Sequence, residues 1–443
     1  MDWTVSFVNW LTSQLQWMPT EVVQRASEMA WSRGSERLLD MLLGNREAEE
    51  VRALLEREPV AGPRPAAVLL PGIMGSLLAS IRGISALLWY APRIILDGHL
   101  NLLDLNAQGD GDRSPDVEIV PVGIEKITYL KLILTLARLT RLYEFPYDWR
   151  RQLEVNAHLL HQSLLRWTEA APKRRFTLVC HSMGGMLART YAALYPAESE
   201  RLIDRIIMLG TPLHGTAVAA CIFDGSTPQV STVQRLNPQN DVISFASNLP
   251  SAYQLLPAPP DSFTPDRPYP LDWNIYDAQA WGLPNVRQDY LNRAREWHNL
   301  LANADPQIEM VMIAGCHHDT ITDVHLSLDG DNAPALEPIR HDERYKGGDS
   351  QVPLWSVRHP AVTTYYVACS HTELPGYQKV LDGLAQLLAG EAPDLPREVP
   401  ERPASLLERI APAPLLEQVS ELRRHIESGQ IRSEDIRRMT FLE

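Results

Sequence analysis

With 443 residues, 45% of them hydrophobic, and a formal net charge of −14, the chain can bury a large core and has no electrostatic reason to seek nucleic acid or an anionic surface. No run of 18 apolar residues occurs, so no helical bilayer span is expected. Four scattered cysteines, Cys180, Cys221, Cys316 and Cys369, follow neither metal nor redox spacing and read as buried thiols in a reducing, cytoplasmic setting.

The opening stretch MDWTVSFVNWLTSQLQWM places Trp3, Trp10 and Trp17 seven residues apart, beside Phe7, Leu11, Leu15 and Met18, which predicts an amphipathic helix. It carries no lysine or arginine. Docking on the rest of the chain or on a partner subunit is therefore the expectation, with a membrane-surface role as the alternative that the tryptophans keep open. No basic region followed by a continuous apolar stretch is recognisable as a secretory signal. Residues 20 to 58 pattern as two charged helices, with Gly44 and Asn45 as a break and Pro59 as a stop.

The run Ala66 to Leu70, broken by Pro71 and Gly72, predicts a strand ending in a backbone-rich loop. Further strands are predicted near 141 to 145 and 175 to 180. After the second comes LVCHSMGGML at 178 to 187, with Met186, Leu187, Tyr191 and Leu194 at helical spacing up to Pro196. Strand, sharp turn and helix is the context of a nucleophile elbow, and it singles out Ser182. Cys180 stands where the usual pattern has a glycine. Acyl transfer also needs donors aimed at a developing oxyanion. The Ile73 amide and the Met183 amide are the candidates, against the plainer reading of Gly72 and Gly75 as an ordinary turn.

Strands near 205 to 209, 308 to 313 and 362 to 368 complete an alternation with helices that predicts a mainly parallel sheet covered on both faces. Between the second strand's successor and 308 lies an insertion, 216 to 303, rich in proline, asparagine, aspartate and aromatics. An insertion of that length is more often a lid or pocket wall than an idle loop. A serine is a poor nucleophile until a base takes its proton. Asp349 in GGDSQVPLWS and His371 in SHTELPG follow Ser182 in the chain order that this architecture uses, each at a strand end. Residues 391 to 414 hold six prolines and read as a linker to a helical tail.

LLPGIMGSLLA, the tryptophan of LLWY, EFPYDWRRQ, VCHSMGGMLAR, GTPLHGT, SAYQLLP, GDSQVPL and SHTELPG stand in the order found in the lecithin:cholesterol acyltransferase family and its bacterial lipase-like relatives. The resemblance covers roughly residues 64 to 390. It implies that Ser182, Asp349 and His371 form the triad, that the Ile73 and Met183 amides form the oxyanion hole, and that Trp89 resembles the tryptophan of the substrate-side loop. Read alone, Trp89 is as well explained by core packing. Asp148 and Arg150 look like a buttressing pair. Secreted animal members close a lid with a disulfide, whereas no cysteine lies between Ile73 and Cys180 here, so lid control is expected to differ.

The expectation is thus an α/β-hydrolase: a mainly parallel sheet with helices on both faces, spanning residues 61 to 390 with a lid insertion at 216 to 303. A helical N-terminal appendage (1 to 60), a linker (391 to 414) and a C-terminal tail (415 to 443) flank it. Its expected chemistry is lipid or other hydrophobic acyl-ester cleavage or transfer through an acyl-enzyme. A soluble carboxylesterase, and an effector whose appendages recruit a protein partner or a second copy, are the alternatives. No metal or organic cofactor is implied, because the motifs supply nucleophile, base and oxyanion donors themselves.

Overall fold

A strand buried on both faces must be apolar at consecutive positions, because successive side chains point to opposite sides. Strand β1 (Ala66–Leu70) meets this demand with AAVLL. In the computed structural model, Val68 and Leu70 enter the core on one side of the sheet, and Ala67 and Leu69 enter the core on the other. The structure describes residues 45–57, 60, 62–82, 86–89, 91–169, 171–264, 268–328, 334–341, 347–401, 415–428 and 435. The tryptophan-bearing opening helix, the first of the two charged helices and most of the residues beyond 428 therefore lie outside the described residues.

The other strands are β2 (Ser76–Ser80), β3 (Ala86–Trp89), β4 (Ile119–Ile124), β5 (Arg141–Glu144), β6 (Phe176–His181), β7 (Ile203–Leu209), β8 (Glu309–Gly315), β9 (Thr320–Leu328), β10 (Pro334–His341) and β11 (Thr363–Val367). Six of them form one sheet in the order β11-β8-β7-β6-β1-β5. All five of its pairings are parallel. The helices that matter below are α1 (Asn45–Leu55), α2 (Lys126–Leu139), α3 (Leu153–Glu169), α4 (Met183–Leu194), α5 (Pro228–Leu236), α6 (Val242–Ser247), α7 (Pro250–Gln254), α8 (Gln288–Asn303), α9 (Gln378–Leu388) and α10 (Leu415–Ser428). On one face of the sheet, Leu132, Ile133 and Leu136 of α2 pack with Val380, Leu381 and Leu384 of α9. On the other, α3, α4 and α8 contribute Leu160, Met186 and Trp297. Parallel strands joined by helices on both faces, with a sharp turn between β6 and α4, give the arrangement of an α/β-hydrolase fold.

Each of the six strands of the main sheet coincides with one expected from the sequence. Two smaller sheets do not. The antiparallel trio β3-β2-β4 and the hairpin of β9 and β10 lack continuous apolar runs. Strands β4, β9 and β10 are only partly covered, and β2, though buried throughout, is short and bounded by serines, so neither sheet announces itself as a long apolar run.

Both flanks of the main sheet domain are tied down where they are described. Ala48, Val51 and Leu54 of α1 bury against Leu134 of α2, and Lys131 reaches Glu50 at 2.8 Å. Residues 391 to 401, expected as linker, run beside the edge of the main sheet: the Tyr366 amide donates to the Pro396 carbonyl at 2.9 Å, and Val399 is buried. That bond takes up one of the backbone groups which this edge strand would otherwise present to a second chain. Further on, Val419, Leu422 and Ile426 of α10 join the main core. The Arg423 guanidinium donates to the Arg235 and Leu236 carbonyls at 3.2 and 2.6 Å, satisfying acceptors that the end of α5 leaves open.

Candidate active site

Ser182 occupies the turn between β6 and α4 with φ 53° and ψ −127°, a conformation that costs a non-glycine residue on the order of 1–3 kcal/mol. The surroundings enforce it. The Ser182 amide donates to the Leu209 carbonyl at 2.9 Å, and the Thr211 hydroxyl donates to the Ser182 carbonyl at 3.0 Å. A Cβ on Gly184 would strike the Leu70 and Pro71 carbonyls, so only glycine lets α4 cross β1 this closely. Serine at a helix N-cap normally spends its hydroxyl on a backbone amide. Here the Ser182 side chain makes no capping bond, which leaves the hydroxyl for the cavity it lines.

His371 and Asp349 come from loops after β11 and before it. The His371 Nδ1 lies 2.7 Å from Asp349 Oδ2, and the His371 amide donates to the Asp349 carbonyl at 2.6 Å. Asp349 Oδ1 accepts from the Gln351 and Val352 amides at 3.1 and 2.7 Å, so the carboxylate cannot rotate without losing three hydrogen bonds. Both side chains are buried, at 1% and 4% exposure. Behind them Gly210 adopts φ +58°, and a Cβ there would stand 2.9 Å from Asp349 Oδ2 and 3.1 Å from His371 Nδ1. A glycine at that position keeps the carboxylate–imidazole contact free of a third group.

Ile73 lies in the loop after β1 and lines the same cavity as Ser182 and His371. Met183 is the first residue of α4, where a helix leaves its leading amides without partners. Trp89, on β3, lines the cavity too. Its indole donates to the Met74 carbonyl at 2.9 Å and its ring meets Trp149 edge-on at 5.4 Å. Trp89 thus packs as a core residue and faces the cavity as well. Arg150 grips Asp148 with Nε and Nη2 at 2.9 and 2.8 Å and donates through Nη1 to the Leu103 carbonyl at 2.9 Å.

The cavity, about 160 Å³, is otherwise mainly apolar, with His181, Thr216 and Gln351 as its further polar lining. Trp89, Ile95 and Leu100 form one wall, and Val218, Ile222, Val230, Val233, Phe245 and Leu249 of the insertion form the other. Among the described residues, no group of three or more histidine, cysteine, aspartate or glutamate side chains is placed to hold a metal, and no helix is long and apolar enough to cross a membrane. All four cysteines are buried thiols and none is joined to another by a disulfide.

Two buried residues beside the site were not singled out from the sequence. His181 precedes the nucleophile candidate and contacts Tyr129 and the His371 loop. The motif contains His181, but a tyrosine in the apolar helix α2 gives no signal of its own. His298, farther off, donates Nε2–H to the Leu256 carbonyl at 3.0 Å, and burial pushes its pKa down to about 3. A base whose folded pKa is depressed stays neutral in the fold while the unfolded chain takes up a proton. Stability is then full above the unfolded value of about 6.5 and falls as pH drops below it, at up to ~1.4 kcal/mol per pH unit for one such group. Melting temperature should decline from pH 7 to pH 5 in the wild type. It should decline less steeply in His298→Gln, whose amide keeps the bond to Leu256 without titrating.

Residues 137–279 match the family described as Lecithin:cholesterol acyltransferase, a segment that contains Ser182 and most of the insertion but neither Asp349 nor His371. Over 101 residues the chain is 30% identical to Phospholipase A(1) LCAT3 of Arabidopsis thaliana, a match spanning 22% of this chain and 22% of that protein. Among solved structures, the Tle4-Tli4 complex is similar at a TM-score of 0.48 and 13% identity, covering 75% of this chain and 98% of that one. The Bacillus licheniformis lipase BlEst2 in its propeptide form is similar at 0.38 and 14%, covering 78% and 54%. Residues 137–279 are thus similar to the lecithin:cholesterol acyltransferase family, and they lie within an α/β-hydrolase fold.

Proposed function

We propose that the chain cleaves or transfers acyl groups of lipid or other hydrophobic esters through a Ser182 acyl-enzyme. The observation that carries this reading is the Asp349–His371 hydrogen bond at 2.7 Å, in a buried site whose apolar cavity also takes in Ser182. Ser182 Oγ attacks the acyl carbonyl as His371 Nε2 takes its proton. The tetrahedral oxyanion accepts from the Ile73 and Met183 amides, each such donor contributing about 3 kcal/mol. The imidazolium, stabilised by Asp349, then protonates the departing alcohol, leaving the acyl group on Ser182. Water or a second alcohol enters, gives its proton to His371, and releases the acyl product. The name of one relative, a phospholipase, supports a lipid as the acyl donor.

The cavity wall built by the insertion decides between a lipid enzyme and a soluble esterase. Val233→Phe should fill the acyl side of the cavity, lowering kcat/KM for long-chain esters by about tenfold or more relative to short ones, since each excluded methylene forfeits roughly 0.8 kcal/mol of burial. On the wild-type chain, turnover should rise when a long-chain ester passes from monomers to micelles. Saturation on short soluble esters with no response to the interface, and an unchanged chain-length profile in Val233→Phe, would point to the carboxylesterase instead.

A further inference from the structure

His181 and Tyr129 sit side by side beneath the site, both fully buried. The Gly72 amide donates to Tyr129 Oη at 2.8 Å. Tyr129 Oη is 2.8 Å from His181 Nδ1, and His181 Nε2 is 3.1 Å from the His371 carbonyl oxygen. One proton arrangement satisfies all three contacts. A carbonyl can only accept, so His181 Nε2 carries the hydrogen. A neutral imidazole then has Nδ1 bare, and it accepts from the Tyr129 hydroxyl. That hydroxyl, having donated, takes the Gly72 amide on a lone pair. Burial and the nearby His371 ring hold the His181 pKa well below its usual value, which keeps the ring in the neutral form that the arrangement requires.

The three contacts join three separate parts of the chain: the loop after β1, which carries Ile73, the elbow, which carries Ser182, and the loop after β11, which carries His371. We propose that Tyr129 and His181 are positioning residues that set the spacing between the oxyanion loop and the base, with the turn at Ser182 held between them. This rests on the reading of Ser182 and His371 as nucleophile and base. Both side chains hydrogen-bond backbone groups one residue away from, or belonging to, Ile73 and His371, and the His181 ring also packs 4.8 Å, centroid to centroid, from the His371 ring. A misplacement of about 1 Å in such a constellation can cost about a hundredfold in rate.

Three substitutions separate the links. Tyr129→Phe keeps the ring and removes the hydroxyl, cutting Gly72 and His181 Nδ1 loose together. His181→Asn places an amide oxygen near the position of Nδ1 and loses the bond to His371. His181→Gln places an amide nitrogen near the position of Nε2 and loses the bond to Tyr129. The readouts are the rate of Ser182 labelling by a fluorophosphonate, kcat and KM on a short ester, and thermal melting, with Ser182→Ala as control. The expected result is that each folded variant labels and turns over about tenfold to a hundredfold more slowly while KM stays close to the wild-type value. His181→Asn and His181→Gln each retain one hydrogen bond, so at least one should fold if Tyr129→Phe does not. Variants that melt earlier yet label and turn over at the wild-type rate would overturn the proposal, leaving the pair a purely structural one. Wild-type protein that is never labelled at Ser182, or Ser182→Ala that still turns over ester, would overturn the reading of the site itself and the pair's role with it.

Discussion

Ser182→Ala and His371→Ala are each expected to reduce ester turnover by about a million-fold, and the double substitution to reduce it little further. The reason is chemical: without the imidazole the hydroxyl keeps its proton, and without the hydroxyl the imidazole has nothing to activate. What remains in either variant is the contribution of the oxyanion donors and of substrate binding, on the order of 10³–10⁴ over water. Folding should survive Ser182→Ala, because the Ser182 side chain caps nothing and its backbone is held by Leu209 and Thr211, whereas His371→Ala leaves buried Asp349 Oδ2 without its partner and should melt earlier. The measurement is steady-state turnover on purified variants assayed below their melting temperatures, alongside fluorophosphonate labelling, which should disappear in Ser182→Ala. Losses that multiply in the double variant would mean that the two residues act independently, and the triad assignment would be wrong.

Asp349→Asn is expected to lower kcat by about 10⁴-fold with the fold intact. Asp349 Oδ1 is held by two backbone amides, and an asparagine can keep its oxygen there. Its NH2 group then faces His371 Nδ1, the atom that now lies 2.7 Å from a carboxylate oxygen. Facing a donor, Nδ1 must accept, so the imidazole proton moves to Nε2. That nitrogen is the one required to take the Ser182 proton, and it arrives already occupied. The imidazolium also loses its counter-charge. A variant whose turnover drops by less than tenfold would show that Asp349 does not set the His371 tautomer, and would direct attention to another acceptor for Nδ1–H.

The parts of this protein that were legible in the sequence share a physical cause. A parallel strand covered on both faces has to be apolar at consecutive positions, and AAVLL, FTLVCH and EMVMIAG carry that demand openly. A strained turn between such a strand and a helix needs small residues on either side, so the neighbourhood of Ser182 is written into the local pattern. Asp349 and His371 could be named because chain order and strand ends restrict where a carboxylate and a base can reach the turn. The antiparallel strands β2, β3 and β4 and the β9–β10 hairpin were not legible, since an antiparallel strand owes its pairing to neighbours more than to its own composition.

The sequence by itself determined the parallel sheet and the strand–turn–helix of the elbow, and pointed to Asp349 and His371 as the side chains proposed to serve it, because each of these follows from local chemistry: burial on two faces, a turn that tolerates only small neighbours, a loop at a strand end. Only the tertiary structure decided what covers the cavity and what ties its parts together. Val233 and Phe245 read as ordinary helix residues until α5 and α6 fold across the strand ends and make them a wall. Tyr129 lies 52 residues from His181, and His181 lies 190 residues from His371. Hydrogen bonds over such separations depend on where the sheet order places β1, β6 and β11, and that order is settled by the packing of the whole domain, which no window of sequence contains.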